Sequence, residues 1–226
     1  MPTIYWAGDS TVQFNDETTF PQTGIGQVFN LYVKPGVNIS NHAKNGRSTK
    51  SFIDESRLVP IYDKITEGDF LFIQFGHNDE KINDPNRYTE ASSEYKINLC
   101  KFITVAKNKK AIPVLITPLM RRQFNPDGSV TDGGHGEYVK AMRQVADKQQ
   151  VALVDLWSRS RDALLEAGPE TTKKWYVHVP AGVYPNFMEG KADDTHLQKE
   201  GAVIFAGLIA DGLRELGGIY KDLLKA

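Results

Sequence analysis

Cysteine is almost absent from this chain of 226 residues: Cys100 stands alone. That excludes an intrachain disulfide and any metal site built from several thiolates. Charge of one sign is lacking too. Lys and Arg total 27 against 28 Asp and Glu, a net charge of -1, so the basic excess of a general nucleic-acid binder is missing. No apolar run approaches the roughly 20 residues that span a bilayer. Nor does a Lys/Arg head followed by an apolar stretch lead the chain, which enters strand-like sequence almost at once. Repeats, low-complexity linkers and obvious domain boundaries are also missing. The expectation is one domain over 1–226, cytoplasmic, with no nucleic-acid or membrane partner.

What is present alternates. TIYWA (3–7), FLFIQF (70–75), IPVLIT (112–117) and ALVDL (152–156) read as strands, with VNIS (37–40) a weaker one. They are apolar on both faces, as buried parallel strands are. Helical spacing lies between them: 24–33, then 51–66 with a break near Pro60, then 88–109, 136–149 and 197–216. In the third, Tyr95, Leu99, Phe102, Ile103 and Ala106 share a face, and Cys100 falls in the same helix as a buried thiol. Two stretches read as long loops, 118–134 and 168–194. The pattern is that of a parallel α/β sandwich.

Ligands of such sheets bind beyond the C-terminal strand ends. Gly8–Asp9–Ser10, NHAKNGRST (41–49), GHND (76–79) and PLMRR (118–122) each follow a strand, so the topology gathers them at one edge. Read alone, Gly-Asp-Ser is turn material, and Ser10 or Thr11 could cap a helix. Gathered, they suit a hydroxyl nucleophile, which needs a base, an orienter for that base and donors for an oxyanion. Of five histidines, His196 in ADDTHL is the best base. Asp193, three residues earlier, and Asp194 both remain candidate orienters. DDTH also reads as a helix start with Asp and Thr caps. Donors are available from the Ser10 N–H, from the Gly46 N–H, which no side chain blocks, and from the Asn78 amide. His77 could line the pocket or bond backbone.

The four blocks resemble those of SGNH-type, or GDSL, esterases and lipases: Gly8–Asp9–Ser10, Gly46, Gly76–His77–Asn78–Asp79, and Asp193–Asp194–Thr195–His196. They stand in family order across residues 8–196. AGDSTVQ, NHAKNGRSTKSFI, FIQFGHND and VYPNFMEGKADDTHLQKEGA resemble the rhamnogalacturonan acetylesterase subgroup more narrowly. The resemblance implies a flavodoxin-like three-layer α/β/α sandwich with a five-stranded parallel sheet. It implies that Ser10 attacks, His196 is the base, Asp193 orients it, and Ser10, Gly46 and Asn78 form the oxyanion hole. The implied substrate is acetylated pectic oligosaccharide or polysaccharide, with no cofactor and no metal. Thr11 departs from the leucine of the family's popular name, which tilts the expectation away from lipids. The lack of a leader suggests an enzyme finishing imported oligosaccharides.

Substrate contacts are expected from Arg121 or Arg122, which could meet a galacturonate carboxylate through a planar fork, and less so from Lys44, Arg47 and Lys191. Trp175, Tyr176, Tyr184 and Phe187 offer rings for sugar stacking. Other readings use the same residues: an acetyl-xylan, aryl or phospholipid acyl esterase, a non-catalytic binder of a phosphorylated small molecule, or a metal hydrolase. Against the last two, the chain has no GxGxxG after its first strand, no Walker spacing and no HExxH.

Overall fold

Successive residues of the central strands point to opposite faces of one sheet, and both faces are dry. On one side Ile4, Trp6, Phe70, Phe72, Val114 and Ile116 join a core cluster. On the other, Tyr5, Ala7, Leu71, Ile73 and Leu115 join a second. That two-sided burial is why these strands lack an apolar–polar alternation. The computed structural model describes residues 1–226.

The strands are β1 (Thr3–Gly8), β2 (Asn38–Asn41), β3 (Phe70–Gln74), β4 (Ile112–Ile116) and β5 (Ala152–Val154), in spatial order β2-β1-β3-β4-β5. All neighbouring pairs are parallel. Helices cover both faces, completing the three layers of the expected sandwich. The first cluster takes Ile25 and Val28 from α1 (Ile25–Val28), Leu156 and Leu164 from α6 (Leu156–Thr172), and Ala202, Phe205, Ile209 and Leu213 from α7 (Lys199–Leu216). The second takes Phe52 from α2 (Thr49–Asp54), Ile61 from α3 (Val59–Lys64), Leu99 and Phe102 from α4 (Glu94–Asn108), and Met142 and Val145 from α5 (Gly136–Gln149). Cys100 is half-buried against this second cluster.

Three expectations need correction. Residues 51–66 form two helices, with Pro60 in the first turn of the second, where a missing N–H costs nothing. Residues 156–172, where no helix is expected, form α6, kinked at Gly168 (φ 75°) ahead of Pro169. The stretch 168–194 is not loop throughout. It holds a strand, β6 (Tyr176–Val179), that pairs antiparallel with β7 (Lys191–Leu197) in a separate two-stranded sheet. A short α8 (Gly218–Lys221) ends the chain's regular structure. No helix is long and apolar enough to cross a membrane.

Candidate active site

β1 ends at Gly8, where a Cβ would crowd Val12 Cγ2 at 3.0 Å and the Gln74 carbonyl oxygen at 3.1 Å. The following residues close a tight turn. The backbone N–H groups of Val12 and Gln13 both donate to the Asp9 carbonyl. The Asp9 carboxylate accepts from the Thr11 N–H (2.9 Å) and Thr11 hydroxyl (2.8 Å). Thr11 is therefore a structural partner of Asp9. Ser10 sits at the apex, 7% exposed.

His196 reaches this apex through an irregularity in the β6–β7 hairpin. Between the pairs Val177–Asp193 and Tyr176–Leu197, β6 advances one residue while β7 advances four. Asp194, Thr195 and His196 thus leave the ladder as a bulge. Asp193 organises it, since its Oδ1 accepts the N–H groups of Thr195 and His196, both at 2.9 Å. Its Oδ2 lies 2.7 Å from His196 Nδ1, and His196 Nε2 lies 3.0 Å from Ser10 Oγ. The unbroken chain Asp193–His196–Ser10 joins residues 186 apart in sequence. DDTH is thus strand and bulge rather than helix start, with α7 beginning only after Gln198.

Burial pushes the Asp193 carboxyl up, but the hydrogen bond and charge of His196 and the two backbone donors outweigh it and hold the group well below the usual carboxylate range. Lys191 Nζ adds a cation 3.1 Å from Oδ2. Asp194, the rival orienter, faces elsewhere: its carboxylate meets Arg122 (2.9 Å) and His178 (2.7 Å).

The glycine and asparagine segments are tied to the same edge. Lys44 N–H donates to the Gly8 carbonyl, and Asn45 N–H to Gln13 Oε1. Gly46 has φ 78°, a left-handed conformation that favours glycine. The N–H groups of Ser10 and Gly46 donate to no group of the protein. Asn78, on the turn after β3, donates from Nδ2 to the Arg47 carbonyl (3.1 Å). Beside it Asp79 is fully buried, accepting from the Thr49 N–H, the Thr49 hydroxyl (2.5 Å) and the Thr89 hydroxyl (2.9 Å). Burial dominates over these donors, with the Asp9 charge adding to it, and lifts Asp79 to about 7.

The expected substrate contacts fare unevenly. Arg122 is 9% exposed and fully engaged: Nε donates to the Thr172 hydroxyl, Nη1 to Asp194 and Nη2 to the Pro169 carbonyl. It clamps α6 to β7 and has no fork left for a substrate. Arg121 is also engaged, with Glu80 (2.5 Å), the Gly133 carbonyl (2.7 Å) and the Thr195 hydroxyl (3.1 Å), and so braces the bulge. Trp175 is core, edge-on to Phe205, and Tyr176 is fully buried with its hydroxyl on the Met120 carbonyl. His77 is 3% exposed, its Nδ1 3.2 Å from Asp9 and its ring edge-on to His135 at 4.4 Å. Arg47 pairs with Glu55. Phe187 lies under the Lys191 ammonium. Tyr184 is partly exposed. It meets Phe20 edge-on at 5.6 Å and lines a cavity of about 410 Å³ with Phe20, Lys173, Lys174 and Lys199.

Sequence reasoning missed two supports. Asp9 is wholly buried and is the hydrogen-bond hub of the nucleophile turn. Burial raises its pKa, yet His77 and Thr11 hold it below the ordinary value. His135 pairs with Glu80 at 2.7 Å, and burial, with His77 beside it, takes it down to about 4 despite Glu80. The Asp9–His77 and Glu80–His135 pairs were not legible, because each joins residues distant in sequence.

The sequence model of the GDSL-like lipase/acylhydrolase family matches residues 7–203. The chain belongs to that family. Among its relatives within this acylhydrolase family, the rhamnogalacturonan acetylesterase RhgT of Bacillus subtilis is 39% identical over 221 residues, 98% of this chain and 93% of that protein. The probable rhamnogalacturonan acetylesterase YesY of the same organism is 41% identical, over 95% and 93%. The crystal structure of Bacillus subtilis YxiM superposes with a TM-score of 0.82 at 26% identity, covering 96% of this chain. The chain spans 57% of YxiM's length. A catalytic variant of Axe2, an acetylxylan esterase from Geobacillus stearothermophilus, shares the GDSL-like fold, with a TM-score of 0.63 at 16% identity over 97% and 95% of the two chains.

Proposed function

We propose that this protein is a serine acetylesterase that removes O-acetyl groups from rhamnogalacturonan or its oligosaccharides through an acetyl-enzyme. The observation that carries the chemistry is the Asp193–His196–Ser10 chain at 2.7 and 3.0 Å. The substrate is supported by full-length similarity to the two rhamnogalacturonan acetylesterases of Bacillus subtilis.

In this reading Asp193 holds the proton on His196 Nδ1, leaving Nε2 as the acceptor that faces Ser10. His196 takes the hydroxyl proton as Ser10 Oγ attacks the acetyl carbonyl. The charge on the carbonyl oxygen is met by the uncommitted N–H groups of Ser10 and Gly46 and by Asn78 Nδ2. Protonated His196 passes its proton to the departing sugar hydroxyl. A water, deprotonated by His196, then opens the acetyl-enzyme, and acetate and free Ser10 result. No step calls on a metal or cofactor. Tyr184 and Phe20 offer a sugar a partly exposed aromatic wall, and the neighbouring lysines suit a uronate-bearing chain. We take residues 1–226 as one domain, because both core clusters are built on the same sheet. We place it in the cytoplasm, with which its lone free thiol is compatible.

An organophosphate that phosphorylates activated serines tests the chemistry. The expected result is one adduct, on the peptide containing Ser10, with acetate release abolished in proportion. A folded protein that turns over acetyl esters without labelling at Ser10 would contradict it.

A further inference from the structure

We propose that Arg87 is a positioning residue for the oxyanion pocket, fixing the Asn78 amide so that one of its hydrogens is free to meet the acyl oxygen. This rests on the reading of Asn78 as an oxyanion donor.

The two ends of an Asn amide have nearly the same shape, so hydrogen-bond partners choose its orientation. Here two partners agree. Arg87 Nη1 donates to Asn78 Oδ1 at 3.1 Å, and Asn78 Nδ2 donates to the Arg47 carbonyl at 3.1 Å. Turning the amide over would set its NH2 against a guanidinium and its oxygen against a carbonyl. In the observed orientation one Nδ2 hydrogen is spent on Arg47 and the other has no protein acceptor.

Arg87 is placed for this task by its own partner. Its Nε donates to Asp84 Oδ2 at 2.7 Å, and its backbone N–H donates to the Asp84 carbonyl. The planar fork serves Asp84 from Nε and Asn78 from Nη1 in one fixed geometry, which the rotatable ammonium of a lysine does not impose. Nη1 also lies 4.0 Å from the point a Cβ on Gly46 would occupy, so the guanidinium spans both the glycine and the asparagine of the pocket. Donation from a cation to Oδ1 draws electrons from the amide and strengthens its N–H as a donor. That gain grows as negative charge builds on the acyl oxygen, so it belongs to the transition state rather than to substrate binding.

The test is a double-mutant cycle on acetate release with Arg87→Ala and Asn78→Ala, alone and together, and with Arg87→Gln, which can donate to Oδ1 without charge. We expect Arg87→Ala to lower kcat on the order of tenfold or more with KM little changed. In the Asn78→Ala background it should cause no further loss, and Arg87→Gln should restore part of kcat. Unchanged kcat, a loss confined to KM, or single losses that multiply in the double variant would overturn the proposal. If Arg87→Ala fails to fold, Arg87→Gln and its combination with Asn78→Ala carry the same cycle. If Asn78→Ala itself keeps wild-type kcat, the donor reading falls and this proposal with it. If Asn78→Ala is impaired and Arg87→Ala is not, only this proposal falls.

Discussion

Asp193 and Asp194 are adjacent and chemically identical, yet the bulge sends them to different partners. Asp193→Asn leaves the bulge's shape largely intact but favours the wrong His196 tautomer. It should lower kcat on the order of 10⁴-fold. Asp194→Asn leaves His196 alone and should act chiefly on stability, through Arg122 and His178, as steady-state kinetics beside thermal unfolding will show. Asn78→Ala should cost about 10²- to 10³-fold in kcat, with the fold unchanged by circular dichroism. The spacing of Asp-x-x-His does not by itself choose between the two carboxylates. The choice is made by backbone, because one oxygen of Asp193 is needed to cap two N–H groups and the other is thereby aimed at the imidazole. Arg87 was invisible in sequence for a related reason: nothing in NDPNRY says that its fork turns back onto Asn78.

At the scale of elements, the parallel strands and α4, α5 and α7 were legible because continuous apolar runs and one-sided stripes are local signals. The β6–β7 hairpin was not. Its two strands are separated by an irregular loop of proline and aromatic residues, and half of β7 carries the polar side chains of the site. The same hairpin explains why Trp175 and Arg122 are not substrate contacts: they fasten it to the body of the molecule. Trp175→Ala should open a cavity beside Phe205 and cost about 3–5 kcal/mol in denaturant unfolding. Arg122→Ala leaves Asp194 with His178 as its remaining side-chain partner and removes one of two side-chain donors from the Pro169 carbonyl. It should lower stability by about 1–3 kcal/mol while changing turnover of acidic and neutral acetylated oligosaccharides by the same factor. A selective loss on acidic substrates would return Arg122 to the cleft.

Over the whole molecule, two buried groups pull the pH dependence of stability in opposite directions. Asp79 is raised from 3.8 to about 7, so the folded state binds its proton more tightly than the unfolded chain does. Its contribution therefore falls as pH rises from about 4 to 7. His135 is lowered from 6.5 to about 4. There the unfolded chain binds the extra proton, and stability is lost as pH falls through the same window. The two largely offset each other in the native protein. Asp79→Asn removes one side, so its stability should rise with pH between about 4 and 6.5 more steeply than that of the unaltered protein, measured by urea unfolding at each pH. The parallel sheet and the edge at which the blocks meet follow from alternating strands and helices, whereas this balance depends on burial, which sequence shows only indirectly. Whether Ser10 deacetylates rhamnogalacturonan is read from acetate release on a panel of acetylated rhamnogalacturonan oligomers, homogalacturonan, xylan and mannan. We expect clear preference for the rhamnogalacturonan oligomers and no release by Ser10→Ala. Preference for xylan, or release that survives Ser10→Ala, would contradict this expectation.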